Sequence, residues 1–192
     1  MKKNIYLLIF DGFSDWEPSY ISVEIARSEK YQLRTAGFTK DPVKSMGGLT
    51  VLPDTTIADP DLLNTDMLII PGGEAWEEKK HREIIPLIKQ LAQIGKSIAG
   101  ICAGTVLLAD AGLLDDIKHT SNADFYLKQV ASDYKGEAHY QTTPAVTDGN
   151  IITSGGVWPV DFGREIIKKL DLMGSEYTEK WYQLFKNGVW VD

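Results

Sequence analysis

The chain has 192 residues, 43% of them hydrophobic, which is about one domain's worth of chain and enough to bury a sizeable core. Its formal charge is −7, with Lys and Arg scattered rather than clustered, so there is no electrostatic footprint for DNA or RNA and no nucleic-acid partner is expected. A single cysteine excludes an intrachain disulfide, and no segment approaches the roughly 18 apolar residues of a membrane span, so a cytoplasmic protein without membrane contact is expected.

The N-terminal MKKNIYLLIFDGF has two lysines and a short apolar run that ends at Asp11 without a small-residue cleavage site, and reads as a first strand at 4–10 rather than a signal peptide. An amphipathic helix is expected around 16–28, with Ile21 and Ile25 facing inward, then a strand at 31–38 and a small hairpin at 43–54 turning at Gly47 and Gly48. TDMLIIPGG (65–73) is a buried strand running into a Gly-rich turn, and 82–95 is a helix closed by Gly95. SIAGI leads through a turn at Cys102 into a helix stopped by Gly112. A shorter helix is expected at 123–131, two strands within 144–154 about a turn at Asp148-Gly149-Asn150, and helices near 160–171 and 176–187. Strand-length apolar runs alternating with helical patterns define an α/β fold with a mostly parallel sheet covered by helices on both faces. No internal repeat, low-complexity tract or linker divides it, and one domain over 1–192 is expected.

Cys102 lies in Gly100-Ile101-Cys102-Ala103-Gly104, at a strand-to-helix junction. That spacing matches a nucleophile elbow, in which glycines keep side chains off a sharp turn so that the nucleophile projects from the carboxyl edge of the sheet. Unsatisfied amides at the following helix start favour a thiolate over a thiol. A lone cysteine is otherwise an inert core residue, and the elbow spacing is what argues for reactivity. LIIPGGEAW (68–76) brings backbone amides at Gly72 and Gly73 to the same edge, where with the Ala103 amide they would form an oxyanion hole; an ordinary turn is the competing reading. Glu17 in DGFSDWEPS follows the first strand and so reaches that edge too. Ser14-x-x-Glu17 also fits a capping box, although Pro18 would then sit at N4, where an amide donor is wanted. Next to a thiolate, a carboxyl group must hold a proton, and it could then donate a hydrogen bond to sulfur.

Trp16, Trp76 and Trp158 each stand beside one of these motifs. Packed in the core they would be unremarkable; gathered at the rim they would shape a small pocket suited to compact carbonyl or amide compounds rather than polypeptides. Trp181 and Trp190 read as part of a C-terminal helix and tail packed on the domain.

Taken together, the glutamate after strand one, PGGE, the GICAG elbow with LLADAGLL behind it, ITSGG and DFGREII resemble the DJ-1/PfpI family of the class I glutamine amidotransferase-like superfamily, over nearly the whole chain. The resemblance implies a flavodoxin-like three-layer sandwich, a homodimer, Cys102 as nucleophile, Glu17 as its protonated partner, and amides around Gly73 and Ala103 as the oxyanion site. It implies no cofactor, and no metal site is expected. One departure bears on mechanism. Members with a Cys-His pair carry histidine where KHTSNADFY places Asn122. His119, three residues earlier, points the opposite way in an extended segment, unless a local shift recruits it as a base. His81 and His139 sit in polar surface segments, and Asp124 is explained as a carboxylate at a helix start. Two functions follow: a cysteine-dependent enzyme of hydrolase, amidase or glyoxalase-like type acting on small carbonyl or amide substrates, or a redox-responsive or chaperone-like stress protein in which Cys102 is oxidised to sulfinate. A glutamine amidotransferase-like subunit is a third.

Overall fold

A computed structural model describes residues 2–190. In chain order its elements are β1 (Lys3–Leu8), α1 (Ser19–Arg27), β2 (Tyr31–Gly37), β3 (Val43–Lys44), β4 (Thr50–Val51), β5 (Thr55–Thr56), β6 (Met67–Ile70), α2 (Glu74–Glu77), α3 (Ile85–Gln93), β7 (Ser97–Ile101) and α4 (Gly104–Asp110). There follow α5 (Tyr126–Val130), β8 (Ala145–Asp148), β9 (Ile151–Ser154), α6 (Pro159–Leu170) and α7 (Gly174–Asn187).

The main sheet has the order β5-β2-β1-β6-β7-β9-β8, parallel throughout except that β8 runs antiparallel to β9. β6 and β7 are buried at every residue, which is why MLII and SIAGI read as unbroken apolar runs: helices cover both faces of these central strands. α1 packs on α6 and α6 on α7, while α3 packs on α4, which in turn contacts α2 and α5. The fold is a flavodoxin-like α/β sandwich. Strand order reverses at β1, with β2 on one side and β6 on the other, and such a switch point opens a crevice at the carboxyl ends of the strands.

Three local readings are corrected. The helix expected from residue 16 begins at Ser19, because Pro18 is its N-cap and offers no side-chain acceptor; Glu17 therefore lies before the helix and is not the N3 residue of a capping box. The hairpin at 43–54 is reduced to two-residue strands in a separate small sheet, turning through Gly48 at φ +87°. β5, an edge strand of two residues, is too short to carry any periodicity and has no counterpart in the sequence reading. The four strands β1, β6, β7 and β9 stand side by side with their carboxyl ends at one edge, and this places Glu17, the Gly72-Gly73 turn, Cys102 and the Gly155-Gly156 turn together.

Candidate active site

Cys102 leaves β7 at φ +56°, a left-handed conformation that costs a non-glycine residue about 1–2 kcal/mol. The turn is held from both sides. Cys102 donates its N–H to Ser154 O at 2.9 Å, and its carbonyl accepts from Thr105 N at 3.1 Å and Thr105 Oγ1 at 2.6 Å. The flanking glycines are required by close approach: a Cβ on Gly104 would stand 2.4 Å from Ile70 O, and one on Gly100 2.8 Å from Leu108 Cδ1. The elbow spacing in the sequence thus reflects packing, of Gly104 against the end of β6 and of Gly100 against Leu108 of α4.

Glu17 is fully buried. Its Oε2 accepts a 2.6 Å hydrogen bond from Gly72 N–H, and its Oε1 has no nitrogen or oxygen partner and lies against the Cys102 sulfur. Two glycines wall the pair: a Cβ on Gly72 would stand 3.0 Å from Cys102 Sγ and 2.9 Å from Glu17 Oε1, and one on Gly156 would stand 2.7 Å and 3.2 Å from the same atoms. Gly156 belongs to the ITSGG stretch, but its place against sulfur was not legible in the sequence.

Burial is the largest influence on both groups. It raises the Glu17 carboxyl to about 7, against the partial relief of the Gly72 hydrogen bond, and it pushes the Cys102 thiol up to about 12, with the Glu17 charge adding to the rise. Asn122 and the Ala103 amide work in the opposite direction on the thiol. The expectation of a thiol simply depressed by a helix start is corrected: α4 begins against a buried carboxyl, and desolvation outweighs the amides. The two groups titrate as a unit, and between about 7 and about 12 they hold one proton between them.

Asn122 is brought to the sulfur. Its Nδ2 donates to Cys102 Sγ at 3.4 Å, and its Oδ1 accepts from Gly156 N–H at 2.9 Å, which fixes the amide's orientation. An amide cannot take up a proton at any ordinary pH, so Glu17 is the titratable group in hydrogen-bonding contact with the thiol. His119 is not brought there. It is buried, with Nδ1 on Ile117 O at 2.8 Å and Nε2 on the Tyr134 hydroxyl at 2.6 Å, and burial lowers its pKa, so it is a neutral structural histidine. His81 stacks on Phe38 at 4.0 Å, away from the sulfur.

Of the three amides considered for an oxyanion, that of Gly72 is committed to Glu17. Among the described residues the Gly73 N–H meets no protein acceptor, and the Ala103 N–H faces the sulfur. The tryptophans divide. Trp16 and Val157 are exposed at the mouth of a 320 Å³ cleft that also meets Glu17, Cys102, Asn122 and Gly156. Trp158 walls a neighbouring 420 Å³ cavity that shares Asn122 with the first, and Lys186 Nζ lies 4.0 Å over its ring. Trp76 is a core residue instead of a rim residue: it is fully buried, edge-on to Phe10 at 4.4 Å, with its indole N–H on Pro71 O at 2.8 Å. Among the described residues no group of three or more His, Cys, Asp or Glu side chains could hold a metal ion, and no helix is long and apolar enough to cross a membrane.

A parallel α/β sheet with a cysteine on a strained elbow and a buried carboxyl against it defines a class of cysteine-elbow proteins. The chain belongs to the DJ-1/PfpI family, whose profile matches residues 3–169. It is 35% identical over 191 residues to a Bacillus subtilis protein named "Uncharacterized protease YoaZ", covering 96% of this chain and 91% of that one. It is 30% identical over 152 residues to "Deglycase TK1284" of Thermococcus kodakarensis, covering 78% and 88%. The crystal structure of a thiJ/pfpI family protein from Bacillus anthracis superposes with a TM-score of 0.93 at 37% identity, covering 98% and 92% of the two chains.

Proposed function

We propose that the protein is a cysteine-dependent enzyme acting on small carbonyl compounds, with Cys102 as nucleophile and Glu17 as its proton carrier. The observation that carries this reading is the Glu17–Cys102 pair, a buried carboxyl raised to about 7 with an unpartnered oxygen against the thiol. In the singly protonated pair the thiol passes its proton to the Glu17 carboxylate, and the thiolate forms a C–S bond to the carbonyl carbon. The carbonyl electron pair moves to oxygen, where the Ala103 amide of the elbow and the Gly73 amide of the β6–α2 turn are the donors. Glu17 then returns the proton, giving a hemithioacetal. With an α-oxoaldehyde, Glu17 as carboxylate next carries the C1 proton to C2 while the hydroxyl proton on C1 passes to the C2 oxygen, which turns the hemithioacetal into a 2-hydroxy thioester; water then cleaves it to a 2-hydroxy acid and the free thiol. Glu17 carries these protons one at a time, and a second base beside the sulfur would speed the sequence.

Cleavage of an amide is the harder alternative, because Glu17 alone would have to protonate the leaving amine where a second base is replaced by Asn122. A cleft of 320 Å³ lies at the small end of ligand sites and suits compact substrates over polypeptides. Relatives named as a protease and a deglycase support an enzyme-like role without choosing the reaction. A steady-state assay with methylglyoxal and a panel of small amides, on wild type and Cys102→Ala, tests the proposal. Turnover of the aldehyde that vanishes in the variant is expected, and turnover that survives in Cys102→Ala overturns it.

A second reading rests on the same unpartnered oxygen. A protonated Glu17 Oε1 can donate to an oxygen of a Cys102 sulfinate formed by peroxide, and Cys102 is partly open to the cleft. Intact-mass measurement after peroxide treatment distinguishes it: a gain of two oxygens held at that stage in wild type but running on in Glu17→Leu supports the redox role. By family resemblance we also propose a cytoplasmic homodimer.

A further inference from the structure

Two residues outside the mechanism above meet beside Asn122, one of the residues that line the cleft. Tyr126 donates its phenolic hydrogen to the carboxylate of Glu77, 49 positions away in sequence. Glu77 ends α2, the one-turn helix that starts directly after the Gly73 amide, and Tyr126 opens α5, four residues after Asn122. Both short helices pack on α4, the helix behind the elbow. The phenol is half-buried beside the Asn122 amide and near the Cys102 sulfur. Burial, and after it the Glu77 carboxylate, holds the phenol protonated above the ordinary tyrosine range. Asn122 itself is solvent-exposed, and the two hydrogen bonds on its amide are to groups in other loops, so what fixes its backbone matters.

We infer that Tyr126 and Glu77 form a strap that positions Asn122, and through it holds the Gly156 N–H and the Cys102 sulfur in register. Tyr126 is a positioning residue in this account. It closes the loop that carries Asn122 onto the loop that carries Gly73, so the donor on sulfur and the oxyanion amide are set by one hydrogen bond. Neither residue has a role in the proposed proton transfers. The inference rests on the proposed function only in that Cys102 reactivity is one of its two readouts.

The other readout needs no chemistry at sulfur. Gly156 N–H is bonded to Asn122 Oδ1, so loosening Asn122 exposes that amide to hydrogen exchange. In the full chain, Tyr126→Phe and Glu77→Ala should each speed Gly156 exchange by roughly five- to tenfold, the scale of one net hydrogen bond, and slow iodoacetamide alkylation of Cys102 by a similar factor. Glu77→Gln keeps an acceptor for the phenol and should stay near wild type on both. In an Asn122→Ala background, Tyr126→Phe should have no further effect on alkylation, because the strap acts through the residue already removed. The Ile98 amide, bonded to Asn150 O in the core, serves as the control for global opening. The inference is overturned by Gly156 exchange unchanged in Tyr126→Phe, by acceleration of Ile98 to the same degree, or by a full Tyr126→Phe effect on alkylation without Asn122. Should turnover prove absent in wild type, the functional proposal fails while Gly156 exchange still decides the strap.

Discussion

Glu17 reaches Cys102 from a loop 85 positions away in sequence, and presses an unpartnered carboxyl oxygen against its sulfur while the other oxygen is held by Gly72 N–H at 2.6 Å. This arrangement is expensive for a charge and cheap for a proton. The carboxyl accordingly titrates near 7 instead of in its usual range near 4.5.

The first consequence is a stability that depends on pH. Folded Glu17 holds its proton up to about 7, whereas in the unfolded chain it loses it near 4.5, so between those values the folded state binds more protons. Stability therefore falls as pH rises through that window, by on the order of 3 kcal/mol from this group. Glu17→Gln keeps an acceptor for Gly72 but does not titrate. Urea denaturation at pH 5 and pH 8 should show wild type losing more stability than the variant over that interval; parallel losses would mean that Glu17 is not the buried acid described.

Gly156→Ala tests the wall of the pair. An added Cβ would lie 2.7 Å from Cys102 Sγ and 2.9 Å from its Cβ, and the backbone conformation itself needs no glycine. The sulfur must move off its partners, at a cost of about 1–3 kcal/mol. Alkylation of Cys102 should slow by roughly thirtyfold, the kinetic equivalent of about 2 kcal/mol in the middle of that range. An unchanged rate would place sulfur farther from Gly156 than the structure does.

Much of this site was legible because its signals are local. Gly100-Ile101-Cys102-Ala103-Gly104 announces an elbow within five residues, and the strand pattern alone sends Glu17, Gly72 and Cys102 to one sheet edge. Long-range geometry is what escaped. Gly156 against sulfur and Tyr126 on Glu77 join segments with no common periodicity, and only the strand order brings them together. Trp76 was misplaced because adjacency to PGGE says nothing about which way a side chain turns on a one-turn helix, and Phe10 draws it inward. His119 is occupied by Tyr134, fifteen residues on, in a loop whose path has no sequence signature.

Asn122→His addresses the position at which the family resemblance leads one to expect histidine. The amide already donates to sulfur at 3.4 Å, so an imidazole there gains a group able to accept the thiol proton. Positioned bases contribute roughly 10²–10⁴-fold in full, and turnover of an aldehyde should rise at least about tenfold. No rise in turnover, with Cys102 still open to alkylation, would show that the single Glu17 carrier already meets the needs of the reaction.

A homodimer is expected from the family, and light scattering at micromolar concentration should return twice the 21.4 kDa of one chain. A mass of one chain would remove that expectation.

The most direct test of the account is the rate of Cys102 alkylation by iodoacetamide from pH 5 to pH 10, followed by intact-mass spectrometry on the native protein. A pair that sheds its first proton near 7 predicts a rate that climbs through that pH and then levels, since the thiolate with protonated Glu17 is one form of the singly protonated pair. Glu17→Gln should move the climb up to or beyond the range of an ordinary thiol, near 9. A thiol that reacts only after denaturation, or a climb that Glu17→Gln leaves in place, would contradict the central claim that Cys102 and Glu17 act on one shared proton.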